Sequence, residues 1–287
     1  MSPLLRAYYE FRKALTIVRK NVRDVLTLGW RFHLRYGAAI AGKTEVVVPV
    51  SKAGTLLFRL KGSDTETIRE IFSHRVYDLS KNPHFNGLRR IYQDSIAAGM
   101  VPVIIDAGAN LGAATVWFAR QFPEARIVAI EPDPDNARVV RENIRQLSNA
   151  VLVEGAIGAE TGFVHLTNTE AESNSIRTVR DGPNAGIRVY TVPDLLAMVG
   201  HGKLFMVKVD IEGFESDLFS DNTAWVEDAE VIFVEPHDWM LCGKQTSAAF
   251  QKVLGQIGAA LFIQDQNLVY VNPRAWQVQP AAADSHV

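Results

Sequence analysis

From Val101 onward, short continuous apolar segments alternate with amphipathic helical segments. The predicted strands are 102–106, 126–131, 151–154, 204–210, 230–235, 259–263 and 268–271, and the predicted helices are 111–121, 134–146, 215–226 and 244–256. Strands that are apolar on both faces need helices on both sides, as in a mostly parallel sheet. The sequence therefore predicts an α/β fold with a seven-stranded, mostly parallel sheet that has helices on both faces.

Three regions are predicted along the chain. These are a basic amphipathic helix at 1–43, a strand and helix extension at 44–99, and the domain that holds the sheet at 100–287. The extension has predicted strands at 45–50 and 55–60, one helix that begins at Asp64 and a second that ends near Gly99.

The N-terminal helix, from about Pro3 to Ala39, has an apolar seam with alternating spacings of four and three. Its members are Leu4, Tyr8, Phe11, Leu15, Val18, Val22, Val25, Phe32 and Tyr36. Residues 1–43 carry nine basic and two acidic side chains, whereas the rest of the chain is acidic. Two interpretations stay open. The helix docks on its own domain or on a second subunit, or it lies on an anionic membrane surface.

The composition is that of an ordinary globular chain. Of the 287 residues, 47% are hydrophobic and 22% are charged, which excludes disordered proteins. Cys242 is the only cysteine, which excludes a disulfide framework and a cysteine-based zinc site. Because the excess basic charge lies in the N-terminal helix, we expect no nucleic-acid partner. The apolar runs are too short for a membrane span, so we expect a cytoplasmic protein, peripheral at the inner membrane surface if the helix binds lipid.

A glycine-rich turn follows the first strand of the predicted sheet. The strand ends at Asp106, and the turn has the spacing G-x-N-x-G, with Gly108, Asn110 and Gly112. This spacing matches neither the dinucleotide fingerprint nor the phosphate loop. A shorter turn without a phosphate cradle favours a nucleoside ligand that has no phosphates.

An acidic residue ends the next strand. Glu131 comes 25 residues after Asp106 and is followed by Pro132 and Asp133. A carboxylate at this distance beyond a glycine-rich turn is placed to accept hydrogen bonds from both hydroxyls of a ribose. The two features together predict a nucleoside site.

A later segment carries a more specific pattern. The run reads Lys208, Val209, Asp210, Ile211, Glu212, Gly213, Phe214 and Glu215, and Glu235 and His237 follow the next strand. These residues resemble the FkbM family of S-adenosylmethionine-dependent methyltransferases, and the resemblance covers about residues 64–238. It implies a Rossmann-like class I methyltransferase fold and S-adenosylmethionine as the cofactor.

The resemblance also implies roles for individual residues. The cofactor-binding residues would be Asp106, Gly108, Asn110, Gly112, Glu131, Asp133, Ala156 and Asp210. The catalytic residues would be His237, Asp210 and Lys208, and the substrate would contact Glu212 and Glu235. From the residues alone, Ser175 is a further substrate contact, because it lies in a polar segment, 168–186, that is interpreted as a plain surface loop or as a lid over the acceptor. The implied reaction is O-methylation of a hydroxyl on a sugar, a glycan or a secondary metabolite, with a small-molecule or glycan acceptor.

The residues alone leave several roles open. Charges in a central strand are costly unless paired or used, so Lys208 is either a structural ion-pair partner or a site residue. The general base is His237, with an ordinary pKa of about 6.5, or Asp210. We favour His237, with Asp210 orienting the acceptor hydroxyl or the imidazole. Asp210, Glu235 and His237 would also suit a divalent cation, although no metal is predicted. Two rival functions are a nicotinamide-dependent oxidoreductase and a binding protein that has lost catalysis.

Overall fold

The computed structural model describes residues 3–168, 176–180 and 186–277. The chain divides into two compact units, Met1–Arg75 and Val76–Val287. The predicted boundaries after residues 43 and 99 are not tested by this division and stay a prediction. No helix in the described part of the chain is both long and apolar enough to span a bilayer.

The first unit combines helices with a two-stranded antiparallel sheet. Its elements are α1 (Pro3–Leu28), a 3-10 turn (Trp30–His33), α2 (Leu34–Ile40), β1 (Glu45–Val50), β2 (Gly54–Arg59), α3 (Asp64–Ile68) and a π-helical turn (Arg69–His74). Strands β1 and β2 pair along their whole length, from Glu45 opposite Arg59 to Val50 opposite Gly54. Both predicted strands of this region are confirmed.

The prediction of one continuous helix from Pro3 to Ala39 is wrong at Gly29. This residue has a φ of 85°, in the left-handed region that glycine adopts without steric cost. The left-handed residue ends α1, and the 3-10 turn that follows buries Phe32 completely. The chain therefore changes direction before α2 begins.

The C-terminal part of α1 packs within its own unit. Asp24 is buried and accepts hydrogen bonds from Arg35 Nη2 at 3.1 Å and Arg69 Nη2 at 2.9 Å. Thr27 Oγ1 donates to Ser73 Oγ at 2.8 Å, and Leu28 is fully buried. The face of α1 that packs against the rest of the first unit is therefore the one that carries Asp24, Thr27 and Leu28.

The apolar seam of α1 lies on a different face, which we call the exposed seam. The relative exposures of its members are Tyr8 55%, Phe11 65%, Leu15 37%, Val18 56%, Val22 53% and Val25 43%. Helical periodicity places Arg12 and Arg19 along one side of this seam. The helix thus presents an apolar stripe beside basic side chains.

The second unit contains the predicted sheet. Its strands are β3 (Val101–Ala107), β4 (Arg126–Glu131), β5 (Ala150–Glu154), β6 (Ala156–Ile157), β7 (Gly162–Asn168), β8 (Ile176–Arg180), β9 (Ile187–Tyr190), β10 (Gly202–Val209), β11 (Val231–Val234), β12 (Ala260–Gln264) and β13 (Asn267–Val271). Its helices are α4 (Phe85–Ala97), α5 (Ala113–Gln121), α6 (Pro134–Ile144), α7 (Val192–Ala197), α8 (Glu215–Leu218), α9 (Trp225–Asp228), α10 (Ala248–Gln256) and α11 (Arg274–Gln277), with a 3-10 turn at Leu79–Lys81.

Seven of these strands form the main sheet, in the order β12-β13-β11-β10-β3-β4-β5. The five strands from β11 to β5 are parallel, and β13 is antiparallel to both of its neighbours. Ile104 and Ile105 in β3 are both fully buried, and since successive side chains point to opposite faces, both faces are covered. The predicted seven-stranded α/β fold is confirmed.

The strand order reverses between β3 and β10. From β3 the chain continues outward through β4 to β5, and from β10 it continues in the other direction to β11. In open α/β sheets, ligands bind beyond the carboxyl ends of the strands at such a switch point. The residues that follow Ala107 and Val209 therefore face the expected crevice.

A second sheet departs from the predictions. Strands β6, β9, β7 and β8 form a four-stranded sheet in that order. The interpretation of residues 168–186 as a polar loop is wrong at β8, which pairs antiparallel with β7. The predicted helix 215–226 is also interrupted, because Asn222 takes a left-handed φ of 53° between α8 and α9.

Candidate functional site

The glycine-rich turn after β3 lies directly against the end of β10. Gly108 has a φ of 75°, and a Cβ atom there would lie 1.8 Å from the carbonyl oxygen of Asp210. Gly112, with a φ of 79°, precedes α5, where a Cβ would lie 3.2 Å from Val140 Cγ1. The glycine at 108 is therefore required for the close approach of the two strand ends.

Lys208 connects the same two strand ends. Its Nζ lies 3.2 Å from Asp106 Oδ1 and 3.3 Å from Asp210 Oδ2, and it donates to the carbonyl of Gly108 at 2.7 Å. Thr115 Oγ1 donates to the other oxygen of Asp106 at 2.6 Å. Asp106 is thus held from two sides in a fully buried position.

The charge of Lys208 is stabilised by these partners. Burial lowers the pKa of the ammonium group, but the carboxylates of Asp106 and Asp210 outweigh this effect and raise the pKa well above its ordinary value. Lys208 therefore stays protonated and donates to carbonyl and carboxylate oxygens.

Glu131 reaches from the end of β4 to the glycine-rich turn. Its Oε2 accepts a hydrogen bond from the backbone N–H of Asn110 at 2.7 Å, and its Oε1 accepts from Asp133 N at 3.1 Å and Asn136 Nδ2 at 3.2 Å. The side chain is almost completely buried. Burial raises the pKa of Glu131 to about 7, although its hydrogen bonds oppose the shift.

Asp133 and Asn110 shape the surroundings of Glu131. The Asp133 side chain accepts from Asn136 N at 2.8 Å and caps the N-terminus of α6, so its carboxylate is used within the helix. Asn110 has a left-handed φ of 53°, and its backbone N–H donates to Glu131.

This part of the site has the chemistry of a nucleoside pocket. The turn comes close to a neighbouring strand end, and a buried carboxylate stands beside it as a hydrogen-bond acceptor. The ammonium group of Lys208 is already paired with Asp106 and Asp210. These residues fit S-adenosylmethionine, whose ribose hydroxyls would donate to Glu131 and whose nucleoside needs no phosphate cradle.

Beside the turn, three side chains converge at the ends of β10 and β11. His237 Nε2 lies 3.6 Å from Asp210 Oδ1 and 3.8 Å from Glu212 Oε2. One ligand atom of each of the three residues lies within 4.8 Å of the others. We call Asp210, Glu212 and His237 the acid–imidazole cluster.

Glu215 lies behind this cluster and orients His237. Its Oε1 accepts a hydrogen bond from His237 Nδ1 at 2.8 Å, and Glu215 is fully buried. Burial lowers the pKa of His237, but Glu215, Asp210 and Glu212 together raise it to about 9. His237 is therefore protonated at neutral pH, in contrast to the ordinary pKa of about 6.5 that we expected for a general base.

Glu212 occupies a constrained backbone position. Its φ is 55°, and Gly213 follows with a φ of 95°. Left-handed residues other than glycine are uncommon and are concentrated at functional sites. Burial, and then the neighbouring carboxylate of Asp210, raise the pKa of Glu212.

The remaining predicted site residues lie elsewhere. Glu235 accepts a hydrogen bond from Gln266 Nε2 at 3.2 Å and is not a member of the acid–imidazole cluster. Ala156 is buried in β6, where it packs in a small apolar cluster with Val164 and Phe214. Ser175 lies outside the described residues. The roles assigned to all three stay predictions.

Three residues that contact the site were not among the predicted site residues. Thr115 bonds Asp106, Asn136 bonds Glu131, and Glu215 bonds His237. Glu215 belongs to the run that resembles the FkbM family, and from the sequence alone this acid is equally consistent with a helix cap and with a site residue. No pattern in the sequence identifies Thr115 or Asn136.

Comparisons with known proteins agree with this geometry. A model of the methyltransferase FkbM domain matches residues 106–254, more than half of the chain. The 2-O-methyltransferase NoeI of Sinorhizobium fredii is 28% identical over 156 residues, which are 48% of this chain and 64% of NoeI. Methyltransferase 1 of Beauveria bassiana is 25% identical over 183 residues, 55% of this chain and 67% of that protein.

A further relative carries a different description. The ornithine lipid N-methyltransferase of Singulisphaera acidiphila is 32% identical over 89 residues, which are 31% of this chain and 46% of that protein. The chain thus spans less than two thirds of NoeI and less than half of the ornithine lipid enzyme. The chain belongs to the FkbM methyltransferase family, and its seven-stranded sheet has the class I Rossmann-like fold that the sequence predicts.

Proposed function

We propose that this protein is an S-adenosylmethionine-dependent methyltransferase that methylates a hydroxyl oxygen of a sugar or glycan. The observation that carries the proposal is the position of Asp210. Its carboxylate lies 3.3 Å from Lys208, which holds the glycine-rich turn, and 3.6 Å from His237 in the acid–imidazole cluster. One residue thus borders both the cofactor side and the acceptor side.

On the cofactor side, Gly108 and Gly112 let the turn pack against the end of β10 and against α6, and Glu131 accepts hydrogen bonds from the ribose hydroxyls. Asp106 and Lys208 act indirectly, because both are buried and hold the turn in place. S-adenosylmethionine supplies a methyl group activated by a positively charged sulfur, so transfer to a hydroxyl leaves a neutral thioether.

On the acceptor side, the protein takes up the proton that the hydroxyl loses. Asp210 is the better candidate for this base. It is partly exposed, whereas His237 is buried and already protonated at neutral pH. In this proposal Lys208 positions Asp210, and His237 with Glu212 orients the acceptor.

The acceptor class is supported by the chemistry of the acid–imidazole cluster. Two carboxylates at the crevice suit the hydroxyl groups of a sugar, which are hydrogen-bond donors. The name of NoeI specifies methylation at an oxygen, which agrees with this choice. The name of the ornithine lipid enzyme specifies methylation at a nitrogen, so an experiment on this protein has to distinguish oxygen from nitrogen acceptors.

The exposed seam of α1 supports a location for the acceptor. An apolar stripe that includes Tyr8 and Phe11, flanked by Arg12 and Arg19, suits a surface that contains anionic lipids. We propose that α1 brings the enzyme to a membrane where lipid-linked glycans are found.

The test begins with cofactor binding. Calorimetric titration of the purified protein with S-adenosylhomocysteine and with NAD should show binding of the first alone. Retention of NAD alone would favour the oxidoreductase. The protein is then incubated with S-adenosylmethionine labelled in its methyl group and with panels of sugars, lipid-linked glycans and amines. Transfer to a hydroxyl supports the proposal, whereas transfer to amines alone contradicts it.

A further inference from the structure

We propose that the acid–imidazole cluster, formed by Asp210, Glu212 and His237, is a binding site for a divalent cation. The role of the cation in methyl transfer rests on the proposed function, but the site itself does not.

The separations suit a shared ion. Two ligand atoms that each lie about 2.1 Å from one metal ion are at most about 4.2 Å apart. The distances from His237 Nε2 to Asp210 Oδ1 and Glu212 Oε2 are 3.6 and 3.8 Å. Both distances are too long for hydrogen bonds, but each is short enough for the two atoms to bind the same ion.

The orientation of the imidazole points to a ligand. The His237 side chain is only 3% exposed, and its Nδ1 is bound to Glu215. In the described part of the chain, no hydrogen bond is formed by Nε2, which is directed between the two carboxylates. A histidine that donates one ring N–H to a buried carboxylate and directs the other nitrogen into a cluster is typical of metal sites. A bound cation would replace the proton that Nε2 carries at neutral pH, since imidazole binds a metal ion only in its neutral form.

The ligand atoms indicate which cation fits. Carboxylate oxygens suit Mg²⁺, Ca²⁺ and Mn²⁺, whereas imidazole nitrogen suits first-row transition metals. Mn²⁺ accepts both types of ligand. Three protein ligands leave open positions for water and for an oxygen of the acceptor, since Asp210 and Glu212 are partly exposed.

The cation would act on the acceptor hydroxyl. Coordination lowers the pKa of a bound oxygen acid, so the O–H bond breaks more readily and its electron pair stays on the oxygen. The proton passes to a solvent water molecule, and the resulting alkoxide forms the bond to the methyl carbon as the bond from that carbon to sulfur breaks. The cation would thus help to remove the proton from the acceptor hydroxyl, which Asp210 would otherwise do alone.

The test measures Mn²⁺ binding to the full chain after treatment with a chelator and dialysis. The signal of free Mn²⁺ in electron paramagnetic resonance gives the bound fraction during titration. We expect one Mn²⁺ site per chain. Its affinity for Mn²⁺ should be at least tenfold lower in Asp210→Asn, Glu212→Gln and His237→Ala. The control is Asp265→Asn, which removes one negative charge at an exposed residue with a left-handed φ that asparagine tolerates.

Thermal unfolding separates loss of the site from loss of the fold. Mn²⁺ should raise the Tm of the wild type and of Asp265→Asn, and leave the Tm of folded cluster variants unchanged. Asp210→Asn and Glu212→Gln keep the size of partly exposed side chains, so they test the site even if His237→Ala does not fold. Absence of Mn²⁺ binding at millimolar concentration, or unchanged affinity in both of these variants, would overturn the proposal.

The same samples are titrated with S-adenosylhomocysteine, with and without Mn²⁺. If the protein binds S-adenosylhomocysteine but no Mn²⁺, the cation site is rejected and the proposed function stands. If it binds Mn²⁺ but no S-adenosylhomocysteine, the cation site stands and the proposed function is rejected.

Discussion

His237 Nδ1 lies 2.8 Å from Glu215 Oε1, and this contact determines which ring nitrogen faces the crevice. Glu215 also accepts a hydrogen bond from the backbone N–H of Gly213 at 3.2 Å. The turn that follows β10 and the imidazole that follows β11 are therefore fixed by one carboxylate.

Replacement of Glu215 tests this link. We expect Glu215→Gln to lower the free energy of unfolding by about 1–3 kcal/mol, because a buried charged acceptor is replaced by a neutral one. Urea unfolding measures the change. Glu227→Gln, an exposed acid on α9, should change it by less than about 0.5 kcal/mol. Equal effects of the two substitutions would show that the contact with His237 contributes little.

The pKa of Glu131 predicts a pH dependence of cofactor binding. Because burial raises this pKa to about 7, the carboxylate is mostly protonated below that pH and mostly ionised above it. Ribose hydroxyls donate to the ionised form, so affinity for S-adenosylhomocysteine should increase about tenfold between pH 6 and pH 8 and then level off. Calorimetry in buffers of different ionisation heat also reports the released proton.

Glu131→Gln is the matched variant for this measurement. It keeps the side-chain shape but cannot ionise, so its affinity should be at least tenfold lower at pH 8 and should not change with pH. A variant that kept the wild-type pH profile would assign the titration to another group.

The close approach at Gly108 predicts a large effect of one methyl group. In Gly108→Ala the Cβ atom would lie 1.8 Å from the Asp210 carbonyl oxygen, and the residue would keep a left-handed φ. We expect a loss of about 3–5 kcal/mol in the free energy of unfolding. Gly200→Ala, where no atom lies within 4 Å of the added Cβ, is the control and should be nearly neutral in thermal unfolding.

The exposed seam predicts binding to anionic vesicles. The wild type should co-sediment with vesicles that contain phosphatidylglycerol and should be released at high salt, because salt screens the basic side chains. The double variant Phe11→Ser with Val18→Ser should lose this binding. Ile17→Ser, on another face of α1, should retain it.

Light scattering tests the alternative that α1 forms a subunit interface. If the wild type is a dimer, the double variant is a monomer and neither protein binds vesicles, the exposed seam is a subunit interface.

The main sheet was predictable because its strands are continuous apolar runs. The predicted strand 126–131 matches β4, whereas β6 to β9 were missed. Strand β6 has only two residues, and its partner β9 lies about 30 residues away in sequence. Strands β7 to β9 lie among polar and glycine residues that also indicate loops. The break at Gly29 was missed because the apolar spacing continues across it to Phe32.

The members of the candidate site were only partly predictable from the sequence. The sequence placed Asp210 and His237 at neighbouring strand ends, but it grouped them with Glu235 rather than Glu212. The left-handed φ of Glu212 brings its carboxylate to His237, and no spacing rule reveals a backbone angle. The pKa of His237 likewise depends on Glu215, whose role becomes visible only from the distance between them.

Lys208 limits how this protein can diverge. Because one ammonium group touches Asp106, Asp210 and the carbonyl of Gly108, a shift of either strand end would break contacts at the other. Under the proposed function, a new acceptor is therefore easier to accommodate by altering segments outside this junction than by moving the strand ends that meet at Lys208. Acceptor range can drift while the alignment needed for transfer is inherited unchanged.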